Sequence, residues 1–88
     1  MITKDYIITA PQGLHARPAT TLIRLAKNYT SAISLKKGDI TVRLNSMLNI
    51  LSLTIKGGDT ISIIIEGEDE TTAAEAVDLF FTEQLKGL

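Results

Sequence analysis

The sequence predicts a two-layer fold of the α+β class in the order β-α-β-β-α-β-α, with helices over one face of a four-stranded sheet. Three observations carry this. Four short runs rich in β-branched residues end at turn residues. Two longer segments repeat their apolar residues at helical spacing. A short apolar segment between them follows a polar residue suited to capping. Eighty-eight residues leave room for one core, so residues 1–88 are expected to form a single domain.

The elements follow in order. Tyr6-Ile7-Ile8-Thr9-Ala10 reads as a strand that stops at Pro11-Gln12-Gly13. Ala19, Leu22, Ile23 and Ala26 then form an i, i+3, i+4, i+7 stripe, with Pro18 in the first turn, Arg24 and Lys27 off the stripe and Asn28 as a stop. Ala32–Leu35 and Ile40–Leu44 alternate on either side of Lys36-Lys37-Gly38-Asp39, a hairpin with a longer loop. Asn45 or Ser46 caps a helix of one or two turns over Met47–Leu51. Gly57-Gly58-Asp59 turns into Thr60–Glu66, the strongest strand signal, with Ile61, Ile63 and Ile65 on one face. The acidic stretch Glu66–Glu70 suits a helix N-terminus. The last helix is expected to bury Ala73, Ala76, Val77, Phe80 and either Phe81 or Leu85, and to end on Lys86 and Gly87.

Composition excludes several function classes. A net charge of −1 argues against non-specific nucleic-acid binding, which needs a basic surface. No cysteine and one histidine leave no set of metal ligands of the zinc type, and no cofactor is expected. No signal-peptide pattern and no apolar run of membrane-spanning length are visible, so the expectation is a cytoplasmic monomer without membrane contact.

The single histidine lies in Gly13-Leu14-His15-Ala16-Arg17-Pro18-Ala19, at or just before a helix N-terminus. Such a terminus presents unpaired N–H groups and a partial positive charge, an anion site in waiting. An imidazole nucleophile, the Arg17 guanidinium and the amides around Ala16, Arg17 and Pro18 suggest a phosphoryl group carried on His15. Attack on phosphorus needs a neutral imidazole with a free lone pair, and the positive helix end favours that form. A cation at a helix N-terminus is slightly unfavourable to the helix, which invites a functional reason for Arg17. Met47, Leu48 and Leu51 cannot all enter a small core from one short helix, so some of them should form an exposed apolar docking patch.

The order of elements, the His15 motif, Ser46 before a short apolar helix and the acidic stretch near the last helix all resemble the HPr family. These are the histidine-containing phosphocarriers of the bacterial phosphoenolpyruvate:sugar phosphotransferase system. The resemblance covers the whole chain. It implies an open-faced β-sandwich, with an antiparallel sheet in strand order 1-4-2-3 and three helices on one face. It implies that His15 takes a phosphoryl group on Nδ1 from phospho-enzyme I and passes it to sugar-specific EIIA domains. Arg17 matches the family's active-site arginine. Ser46 matches the serine modified by an HPr kinase/phosphorylase. The docking face implied combines Thr20, Arg24 and Lys27 with Met47, Leu48 and Leu51. The protein would be a carrier with a phosphohistidine intermediate rather than a stand-alone enzyme.

Three positions depart from common family residues: Asn45 where lysine is frequent, Asn49 where glycine or lysine is usual, and Thr54 in place of a frequent glycine. The first two alter the surface around Ser46. A regulatory or nitrogen-branch protein of the same fold, acting by docking to effectors, is the alternative. Regulatory relatives that have lost the carrier role typically lack the histidine, and His15 is present.

Overall fold

Residues 1–87 are described by the computed structural model. The elements are β1 (Ile2–Ile7), α1 (Ala16–Ala26), β2 (Ala32–Lys37), β3 (Ile40–Arg43), α2 (Met47–Ser52), β4 (Thr60–Glu66) and α3 (Glu70–Leu79). A π-helical turn (Phe80–Gln84) and a 3₁₀ turn (Leu85–Gly87) continue α3. The strands form one antiparallel sheet in the order β1-β4-β2-β3. This is the open-faced sandwich with three helices that the resemblance implied.

The period of two decides which sheet face is covered. Ile61, Ile63 and Ile65 of β4 and Ile33 and Leu35 of β2 are buried in one core with Leu22 of α1, Ile50 of α2 and Val77 of α3. Ser34, Ser62 and Ile64 alternate onto the other face and are half-buried. β4 is one of the two inner strands, paired with β1 on one side and β2 on the other, and it carries the densest apolar run.

Four expectations are corrected. The first strand runs over Ile2–Ile7 rather than Tyr6–Ala10, because pairing with β4 from Ile2↔Ile65 to Ile7↔Thr60 sets its extent. Ile8 turns into the core, fully buried, and stays held by bonds from its amide to the Asp59 carbonyl and from the Gly58 amide to its own carbonyl. The hairpin is tight, not long: Lys37 pairs directly with Ile40, and Gly38 supplies the positive φ (61°) that such a turn needs. In α3 it is Ala74, not Ala76, that is buried beside Ala73 and Val77. Finally, both Phe81 and Leu85 are buried, where only one of them was expected.

The last correction has a geometric cause. Phe81 and Leu85 are four residues apart and share the helical face of Ala74 and Val77, so both meet the core. The turn between them is widened, with the Leu85 amide donating to the Phe80 carbonyl. Tyr6 of β1 stacks on Phe81 with ring centroids 4.6 Å apart and donates its hydroxyl to Asp78 at 2.9 Å. Burial, and after it the Asp78 carboxylate, pushes the Tyr6 phenol well above its ordinary range.

Candidate functional site

Local anchors hold His15 in place. Gly13 has φ +69° and lies against the 55–56 backbone, where a Cβ would fall 2.1 Å from the Ile55 carbonyl oxygen. Only glycine fits there. The Leu14 amide donates to that same carbonyl, and the Leu14 side chain is buried. The chain is thus pinned two residues in succession before His15.

His15 is the N-cap of α1, in an extended conformation (φ −81°, ψ −171°). Its side chain makes no capping hydrogen bond, which leaves the half-buried ring available. Its carbonyl accepts the first helical bond, from the Ala19 amide at 3.0 Å. Among the described residues, the amides of Ala16 and Arg17 donate to no protein acceptor. Pro18 has no N–H to offer; it is buried and fixes the backbone of the first turn. Two free amides and the positive end of the helix dipole therefore lie at the residue that carries the imidazole, with the exposed Arg17 two residues on. No acidic residue occupies the first turn of α1. The arrangement can hold an anionic oxygen group next to a nucleophilic nitrogen.

A shallow cleft of about 250 Å³ opens beside His15. It is lined by Ala10, Pro11, Gln12, His15, Leu85 and Lys86. The residue pattern assigns Lys86 only to the end of the last helix; its place in this cleft comes from the packing of the C-terminal segment against the 10–15 loop.

The expected docking residues divide into two groups. Thr20 is half-buried, donates to the Ala16 carbonyl at 2.8 Å and touches Met47 Sδ at 3.9 Å, so α1 and α2 meet there. Leu48 is 79% exposed and Leu51 38% exposed, while Ile50 carries the inward anchor of α2. Met47 is half-buried against the core. Arg24 is exposed and shares a helical face with Arg17 and Thr20. Lys27 caps the far end of α1, about 18 Å from His15 at the rise of an α-helix, where it shares a separate cleft with Arg43 and Asn45.

Ser46 caps α2: its hydroxyl oxygen accepts from the Asn49 amide at 3.4 Å. Asn45, the other capping candidate, is exposed and outside the cap.

Comparison with known proteins agrees with this geometry. A family model described as the PTS HPr component phosphorylation site matches residues 2–83. The phosphocarrier protein HPr of Buchnera aphidicola (subspecies Acyrthosiphon pisum) is 42% identical over 83 residues, covering 94% of this chain and 98% of that one. That of Lysinibacillus sphaericus is 36% identical over 83 residues, covering 94% of each chain. The solved structure of a Mycoplasma histidine-containing phosphocarrier protein superposes with a TM-score of 0.90 at 31% identity, covering 96% of each chain. Matches also include an HPr-like protein Crh from Halalkalibacterium halodurans, 36% identical over 84 residues, covering 96% of this chain and all of that one. Structures of a Crh dimer and of an HPr dimer from Thermoanaerobacter tengcongensis are similar in fold as well. The chain belongs to the HPr family of phosphotransferase-system phosphocarriers.

Proposed function

We propose that this chain, as one domain over residues 1–88, accepts a phosphoryl group on His15 from phospho-enzyme I and delivers it to EIIA domains of sugar transporters. The observation that carries the reading is the His15 ring at the N-cap of α1, free of any capping bond and flanked by the two unpaired amides and Arg17. The Nδ1 lone pair attacks phosphorus, the new N–P bond forms as the donor's N–P bond breaks, and the donor imidazole leaves with that electron pair. No general base is needed. The amides of Ala16 and Arg17 and the Arg17 guanidinium donate to the dianion, and Pro18 keeps the turn in shape. Partners dock on Thr20, Arg24, Met47, Leu48 and Leu51, with Lys27 at the margin. Ser46 is the substrate of an HPr kinase/phosphorylase where one is present. The protein works as a cytoplasmic monomer, which light scattering checks against the dimers known among similar folds.

The Crh relative favours a second reading, regulation by docking to an effector. One experiment separates the two. The protein is incubated with phosphoenolpyruvate and enzyme I, and the phosphate is located by mass spectrometry. Acid-labile phosphate on His15, absent from His15→Ala, is expected. Arg17→Ala should slow transfer tenfold or more, on the order of the 1.5–3 kcal/mol of a charged hydrogen bond. No phosphate on the wild-type chain would overturn the carrier role.

A further inference from the structure

Lys86 faces the same cleft as His15, and we propose that it is a second cation of this centre, one that pairs with the phosphoryl dianion once His15 carries it. The proposal deepens the carrier reading and rests on His15 being phosphorylated. Three observations support it. Leu85, just after the π-helical turn, is buried (1% exposed) and anchors the last turn against the core, and Lys86 next to it lines the cleft. Among the described residues, the others that line the cleft, Ala10, Pro11, Gln12 and Leu85, have uncharged side chains. Among the described residues, Lys86 takes part in no ion pair or hydrogen bond.

Arg17 is not among the cleft residues. The two cations stand on different elements, Arg17 in the first turn of α1 and Lys86 in the C-terminal turn. A phosphoryl group has oxygens for both, together with the amides of Ala16 and Arg17. Lysine acts here as a compact point charge on a flexible stem, able to follow the group as it arrives and leaves. No bond is made or broken at Lys86; it stabilises charge only.

The test uses phosphoramidate, which phosphorylates imidazoles without an enzyme, so its outcome does not depend on enzyme I. The second ionisation of the phosphoryl group is followed by phosphorus NMR in wild type, Lys86→Gln and Lys86→Arg, with Arg17→Ala for comparison. Losing a nearby cation should raise that ionisation by about half a pH unit in Lys86→Gln, while Lys86→Arg keeps the wild-type value. Lys86→Gln should also slow transfer from phospho-enzyme I about threefold, with an unchanged melting temperature. A phosphoryl titration identical in wild type and Lys86→Gln would overturn the role of Lys86 and leave that of His15 standing. A wild-type chain that takes phosphate from phosphoramidate but not from enzyme I would count against the carrier reading alone.

Discussion

Asp69, at the start of α3, binds Ser31 twice: one carboxylate oxygen accepts from the Ser31 amide at 2.9 Å and also from the Ser31 hydroxyl. Its second oxygen accepts from the Thr30 amide at 2.8 Å. The loop leaving α1 is thereby tied to the loop entering α3, across 38 residues of sequence. The Ser31 hydroxyl bond, followed by the Thr30 amide, holds the Asp69 carboxyl below its ordinary range.

A pH dependence follows from the sign of that shift. Asp59 is lowered too, by the Lys56 amide first and Lys37 second. A carboxyl with a lower pKa folded than unfolded contributes stability above its unfolded value, near 4, and loses it as pH falls through the folded value. Thermal melts should show full stability at neutral pH and a decline below about pH 4. Asp69→Asn should melt lower at pH 7 and show a smaller drop between pH 7 and pH 3. An acid limb as steep as that of wild type would remove Asp69 from the account.

Thr54 stands just after the C-cap of α2, with φ 51°, the left-handed conformation that a β-branched residue adopts at a cost. Lys37 secures this turn by donating to the Leu53 and Thr54 carbonyls at 3.2 and 2.8 Å and pairing with Asp59 at 3.0 Å. Thr54→Gly should relieve the strain by about 0.5–1 kcal/mol, net of the entropy glycine loses on folding. That corresponds to a rise in melting temperature of roughly 2–8 °C for a domain of this size. Calorimetry showing a lower value would place the strain elsewhere.

Neighbouring residues on α2 should behave in opposite ways. Ile50→Ala empties a fully buried site and should destabilise by about 2–5 kcal/mol. Leu48→Asp, on a side chain 79% exposed, should leave the melting temperature nearly unchanged and weaken enzyme I and EIIA binding. Titration calorimetry with either partner decides it; undiminished affinity of Leu48→Asp would move the docking face off α2.

Ser46 accepts only a long bond, so Ser46→Ala should cost about 0.5 kcal/mol, the low end for a cap. Ser46→Asp puts a negative charge at the start of α2, where it favours the helix, yet beside Met47 and the exposed Leu48. Its melting temperature should hold or rise while enzyme I phosphorylates His15 more slowly, because the charge must be desolvated on docking. Phosphorylation at the wild-type rate would eliminate charge at Ser46 as a control on docking.

Much of this protein follows from local pattern. Thr60–Glu66 coincides with β4, because a central strand buried on one face needs an unbroken alternation that no turn residue interrupts. His15 falls at the N-cap of α1, because Pro18 is tolerated in a first turn and Gly13 marks a close approach. The burial of Ile61, Ile63 and Ile65, the short α2 and its Ser46 cap are equally local. The extent of β1 was decided by tertiary structure, since an edge strand with only Ile2 and Tyr6 half-buried takes its length from the partner it pairs with. So was the choice of Ala74 over Ala76, two alanines of equal propensity separated only by which one meets the sheet. The cleft beside His15 needed the whole fold, because Leu85 packs into the core and Lys86 after it lines a cleft shared with a histidine 71 residues earlier in the chain. Sequence periodicity tells which residues of one element share a face, and only packing determines which elements meet.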